Sequence, residues 1–357
     1  MNFEFYNKKI SGILTIVPEN ELKFEDEIEN YNFTTKQCMK LKLVMGYDKR
    51  RIASKGVCSS DLCEYGMNYL FDNNLLKREE IDALIMVTQS PDYFIPSNAC
   101  ILHGKLGLKK ETFCVDISQG CSGFIIGLIQ AFMLLEQKNI NKVVLMNADV
   151  LSPKVSPKDR NSAPLSGDGA SITIVEKSCN NEKIVADVNF DGTNALCLNI
   201  PAGAFRIPST PETAIMQEDE AGNMRSLDNL VMKGDDVFNF VLNKVPEQIE
   251  NLLASQSLTK DDIEYFLCHQ PNKFMLQKLA DKLGVSYDRL PNNVVENFGN
   301  ASGVTIPTCI TFNFGEKLMN KEYKVCLSGF GIGLTWASMI MNLGNLKFSK
   351  LIEYKGR

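Results

Sequence analysis

Three short stretches of this 357-residue chain carry side chains able to do chemistry. In the run TFCVDISQGCSGFIIGLIQ (residues 112–130), Cys121 stands between glycines where one pattern gives way to another. Phe113, Val115 and Ile117 alternate as in a strand, QGCSG breaks that period, and the apolar run beyond it reads as a buried helix. A cysteine at a helix start meets unpaired N–H groups and the positive end of the dipole, so its thiol pKa is expected to be lowered. The flanking glycines let a substrate come close to the sulfur. That describes a nucleophile; a buried structural cysteine is the other reading of the same stretch. The second stretch is CHQPN (268–272), where His269 ends a predicted strand and Pro271 and Asn272 open a helix. Loop residues there face a crevice at the strand's carboxyl end. The third, NFGNASG (297–303), is a Gly/Asn/Ser turn with Asn300 at its centre, leading into an apolar helix. A hydrogen-bonded structural histidine and an ordinary turn are the plainer readings of these two.

Composition removes several alternatives. A net charge of −5 with no Lys/Arg stripe argues against a nucleic-acid partner, and no uncharged apolar run reaches 18 residues. The first twenty residues lack the layout of a signal peptide, and eleven irregularly spaced cysteines fit a reducing compartment, so a cytoplasmic protein without membrane attachment is expected. With two histidines and no C-x-x-C, a zinc site is not expected.

The elements that must position these residues follow an α/β rhythm. Strands are predicted at 9–17, 81–88, 142–149 and 170–175, with helices at 61–73 (Leu62, Tyr65, Gly66, Tyr69 and Leu70 near one face) and 98–107. Residues 19–30 read as loop and helix surface. Beyond residue 179 the rhythm restarts: strands at 184–190, 265–269, 323–328 and 334–341, helices at 235–255, 272–283 and 300–318, and a long irregular stretch at 201–227 that is a candidate lid. Alternation of this kind predicts a mostly parallel sheet covered by helices on both faces. The size exceeds one usual core, and two halves of similar content, 1–180 and 181–357, suggest a duplicated domain. The run GFGIGLTWAS (329–338) contains glycines spaced as in a dinucleotide fingerprint, but 334–341 alternates like a strand where a helix is required, so a nucleotide site is rejected.

Taken together, DISQGCSGF, HQPN, FGNASG, LSGDGAS and GFGIGLTWAS resemble, in order and spacing, motifs of the β-ketoacyl-acyl-carrier-protein synthase III family of thiolase-like condensing enzymes. The resemblance implies a thiolase-like five-layer αβαβα fold of two related halves, a homodimer, no cofactor, and Cys121, His269 and Asn300 as catalytic triad. The residue types agree with the activity implied. A thiolate both accepts an acyl group and leaves again, and donors from His269 Nε2 and Asn300 Nδ2 would stabilise the enolate left when a malonyl thioester on acyl carrier protein loses CO₂. The backbone N–H groups of Cys121 and Ile332 are matched to a second oxyanion position; Ile332 stands where the family usually has Gly or Ala, a change that keeps the donor.

The same resemblance assigns Asn272 to the pantetheine arm, Arg160 to the CoA phosphates and Gly234 with Asp235 to the binding cleft, and it sends residues 92–96 into a partner subunit so that Ile95 touches the neighbour's acyl chain. Lys273, with Lys278 and Lys282, offers positive charge to an acidic carrier protein or simply forms a solvated helix face. The aromatic and arginine that clamp adenine in acyl-CoA-using members fall at Lys40 and Val44, neither of which can stack. An acyl-carrier donor is therefore expected over acyl-CoA. Two other classes remain: transfer of the Cys121 acyl group to an alcohol or amine without decarboxylation, and an inactive homologue serving as an interaction subunit.

Overall fold

The computed structural model describes residues 1–356. Two mixed β-sheets face each other. The first has the spatial order Phe348–Tyr354, Lys8–Pro18, Gly169–Lys177, Lys142–Asp149, Ala83–Val87 and Phe113–Ile117. The second runs Asn2–Phe5, Ile184–Phe190, Thr335–Gly344, Glu322–Gly331 and Tyr265–Cys268.

Period-2 burial decides what covers each face. On the first sheet Ile85, Val87, Val143 and Leu145 turn toward helices Gly123–Leu135 and Thr305–Asn313, and Leu267, Val325, Leu327 and Met339 of the second sheet close on the same pair from the other side. The opposite residues, Leu84, Met86, Val144 and Met146, pack under helices Ser59–Asp72 and Asn98–Lys105. Phe266, Cys268, Cys326 and Ile340 pack under Gly234–Ser255 and Lys273–Leu283. Helix, sheet, helix pair, sheet and helix make five layers, the thiolase-like arrangement.

Several expectations need correction. The second sheet is mostly antiparallel: only Tyr265–Cys268 with Glu322–Gly331 is a parallel pair. Strands Glu322–Gly331 and Thr335–Gly344 are joined by three residues, which permits a hairpin and no crossover. A cut at residue 180 separates the sheets incompletely, because Asn2–Phe5 pairs with residues 184–187 and Phe348–Tyr354 with residues 12–18. The helix expected over 300–318 starts later: a 3₁₀ turn Ser302–Val304 precedes Thr305–Asn313, which places Pro307 in the first turn, where its missing N–H costs nothing. Residues 19–30 are more than surface, since Phe24 is buried against Tyr31 and Tyr47. The capped helix Thr35–Met45 follows, closed at its start by Thr34 and Gln37. The strand Asn2–Phe5 and this helix carry no strong sequence periodicity.

Candidate active site

Cys121 sits on the tight turn between Phe113–Ile117 and Gly123–Leu135, with Ser122 as the helix cap. The last residues of Glu322–Gly331 press against it. A Cβ at position 331 would lie 2.8 Å from the Cys121 sulfur, and one at 329 would lie 2.8 Å from Ser122 Cα, so only glycine admits this approach. The approach aims the Ile332 N–H at the sulfur, where it favours the thiolate. Burial outweighs it. With desolvation as the largest cause, the Cys121 thiol is pushed up to about 11, which overturns the expectation of a lowered pKa. A helix N-terminus lowers a thiol's pKa only where water also reaches the sulfur, and Cys121 is enclosed.

An enclosed thiol needs a base, and His269 has the geometry of one. Its backbone N–H is tied to Ser328 O (2.7 Å), extending the Tyr265–Cys268 strand. Its Nδ1 lies 2.7 Å from Thr305 Oγ1 and also within reach of the Ser302 carbonyl. The Thr305 hydroxyl itself donates to Ser302 O (3.0 Å). A carbonyl can only accept, so the proton rests on Nδ1 and the lone pair sits on Nε2. Burial pushes the ring down to about 3, so it is neutral at physiological pH. In the resting site Nε2 is thus a proton acceptor rather than the donor expected from the sequence.

Asn300 is oriented by the reverse logic. Its Oδ1 accepts from Ser302 N–H (2.9 Å), which leaves Nδ2 as a donor. Its backbone is pinned between Leu165 O (2.8 Å) and Gly167 N–H (3.1 Å), which explains the LSGDG motif: it is the clamp that holds the asparagine loop. Cys121, His269 and Asn300 line one cavity of about 540 Å³ together with Tyr47, Arg160, Gly234, Asp235, Asn272 and Phe330.

The expected binding residues divide. Gly234 and Asp235 open the Gly234–Ser255 helix on the cavity wall. Asn272 caps Lys273–Leu283, its Oδ1 accepting from Met275 N–H (2.8 Å), so Nδ2 remains for a ligand. Arg160 is held by its own chain: the guanidinium lies 4.2 Å over the Phe33 ring and donates to Asn223 Oδ1 (3.1 Å) and Ala221 O (2.6 Å). Lys273 reaches Glu296 (3.4 Å), and Lys278 reaches Asp281 (3.6 Å). Lys40 and Val44 are exposed on Thr35–Met45. Ile95 is 85% exposed and does not line the Cys121 cavity. Sequence reasoning missed Thr305 and Ser302, which orient His269 and Asn300. They lie in or just beyond the quoted NFGNASG motif, but nothing in a sequence says which ring nitrogen a threonine will meet. Among the described residues no helix is long and apolar enough to cross a membrane, and no group of three or more His, Cys, Asp or Glu is placed to hold a metal.

A cysteine on a strand-to-helix turn, faced by a histidine and an asparagine from the second half of a five-layer fold with two sheets, defines a thiolase-like condensing enzyme. Family models for 3-oxoacyl-[acyl-carrier-protein] synthase III match residues 115–192, and for its C-terminal part residues 253–343. A putative 3-oxoacyl-[acyl-carrier-protein] synthase 3 of Campylobacter jejuni is 36% identical over 99% of both chains. The β-ketoacyl-[acyl-carrier-protein] synthase III of Limosilactobacillus reuteri is 32% identical over 80% of this chain and 84% of its own. The crystal structure of a Burkholderia xenovorans 3-oxoacyl-(acyl-carrier protein) synthase superposes with a TM-score of 0.91 at 30% identity, covering 99% of each chain. The chain belongs to the 3-oxoacyl-[acyl-carrier-protein] synthase III family and is an acyltransferase of the condensing type.

Proposed function

We propose that Cys121 accepts an acyl group from a carrier thioester and that the acyl-enzyme then condenses with malonyl-acyl carrier protein, losing CO₂. The observation that carries this reading is the pair of opposite polarities in one cavity: a bare Nε2 on His269 and a free Nδ2–H on Asn300, both in the cavity that holds the Cys121 sulfur.

In the first half-reaction the sulfur attacks the donor's carbonyl carbon as its proton passes to Nε2. The oxyanion lies against the N–H groups of Cys121 and Ile332, and the carrier's thiolate leaves with that proton. In the second, the malonyl C–CO₂ bond breaks and its electron pair becomes an enolate. Its oxygen accepts a hydrogen bond from Asn300 Nδ2–H. Carbon 2 attacks the Cys121 thioester and expels the thiolate. Condensation consumes one proton, which ends on Cys121; the negative charge of the malonyl carboxylate, entering the cavity that holds His269, raises the affinity of the ring for it. A protonated Nε2 then donates to the enolate before giving its proton to sulfur.

A carrier-protein donor is favoured over acyl-CoA. At Arg160 one face of the guanidinium is already taken by Phe33, and Lys40 and Val44 offer adenine no plane to stack on. Losing a stacked base costs ~1–3 kcal/mol in nucleic-acid sites, so CoA affinity falls roughly tenfold or more. Tyr93, Phe94 and Phe205, 62%, 67% and 86% exposed around Ile95, support a homodimer that covers them. Intact-mass spectrometry across acyl-CoA and acyl-carrier donors tests the whole reading. A +acyl adduct absent from Cys121→Ala, followed by CO₂ release with malonyl carrier, is expected. An adduct passed to an alcohol or amine without CO₂ would favour the non-decarboxylating alternative.

A further inference from the structure

Two helices bound the mouth of the Cys121 cavity. Leu41 and Met45 of Thr35–Met45 line it, as do Phe274 and Met275 of Lys273–Leu283. The two helices meet at Gly46, where a Cβ would lie 2.6 Å from that of Lys273. Their outer faces differ. On Lys273–Leu283, Lys273 is paired with Glu296 and Lys278 with Asp281, and Lys282 stands in the last turn, ~14 Å along the axis from Lys273. Thr35–Met45 carries three lysines and no acid. Lys42 is held by Glu25 and Asp48, whereas Lys36 and Lys40 are exposed and have no ion pair among the described residues. Met39, Leu43 and Val44 are exposed beside them, Leu43 to 80%. Positions 36, 39, 40, 43 and 44 are spaced by threes and fours, so they form one stripe on the side of the helix opposite Cys38, Leu41 and Met45. Single exposed apolar residues are ordinary; three adjoining one another between free lysines make a contact surface.

We infer that the outer face of Thr35–Met45 is where the acyl carrier protein docks, its acidic surface meeting Lys36 and Lys40 and an apolar side chain covering Leu43. This rests on the reading of a carrier-protein donor. A protein seated on this helix delivers its pantetheine arm past Leu41 and Met45 into the cavity that holds Cys121. The free lysines set the rate of encounter and its salt dependence, and the apolar contact holds the complex once formed.

The test compares kcat/KM for loading Cys121 of the full-length protein from two donors of one acyl group: the thioester of purified acyl carrier protein and that of free pantetheine, which brings no protein to dock. The acyl group is the one that loads fastest in the donor panel. Lys36→Glu/Lys40→Glu should lower the carrier rate by ~tenfold or more, less so as salt is raised, and leave the pantetheine donor within about twofold. Leu43→Ser should lower the carrier rate about fivefold at every salt concentration. An unchanged carrier rate in both variants, or equal losses with both donors, overturns the inference. So does a larger loss from Lys278→Glu, which would move docking to the neighbouring helix. A change of oligomeric state in Leu43→Ser by light scattering also overturns it, because the face would then be a subunit contact. If wild type takes no acyl group from the carrier, the donor reading falls and this inference with it.

Discussion

The inner end and the mouth of the Cys121 cavity are built on different principles. At the inner end each reactive side chain is anchored through the polar atom it does not need: His269 through Nδ1 to Thr305, Asn300 through Oδ1 to Ser302. Their working atoms are left without partners, aimed by the hydrogen bonds that hold the opposite atom of each side chain. At the mouth the side chains with the strongest ligand-binding potential are engaged by their own chain, Arg160 by Phe33, Asn223 and Ala221, Lys273 by Glu296 and Lys278 by Asp281. Reactive geometry tolerates no slack, so it is held rigidly. Recognition at an open rim can be rearranged by any loop that reaches it, here the stretches around residues 33 and 223.

Breaking the inner end should have the largest effects. Cys121→Ala should abolish the acyl adduct completely while some malonyl-carrier decarboxylation persists, measured as CO₂ release. Asn300→Ala should lose ~10²–10³ in decarboxylation, with acylation of Cys121 retained at a reduced rate. If it abolishes the adduct as fully as Cys121→Ala, Asn300 acts earlier than the enolate.

The pH dependence sharpens the same point. Thiolate forms as pH rises through the thiol's pKa, so alkylation of Cys121 by iodoacetamide should climb by about tenfold per pH unit until about pH 11. A plateau below pH 8 would mean that the helix start, not burial, controls the sulfur.

The mouth should respond weakly. Phe33→Ala uncovers one face of Arg160 and should improve acyl-CoA relative to the same acyl group on a carrier protein by a few-fold in kcat/KM. An unchanged ratio would remove Phe33 from donor choice. Lys273→Ala should change carrier KM by less than about fivefold, as an exposed pair contributes ~0–1 kcal/mol.

Much of this was legible in the chain itself. The alternation of Phe113, Val115 and Ile117 and the QGCSG break marked the turn that carries Cys121, and the alternation of residues 334–341 excluded a nucleotide-binding helix, because period and glycine placement are local properties. The sequence by itself also singled out the three side chains that the structure brings to one cavity. Tertiary structure decided the rest. Burial raised the Cys121 thiol against its helix end, because desolvation depends on atoms from residues 329–332 that are distant in the chain. The tautomer of His269 depends on a threonine 36 residues away. The terminal strands crossed between the sheets because edge pairing is set by which strand edges lie open in space, not by which half of the sequence supplies them.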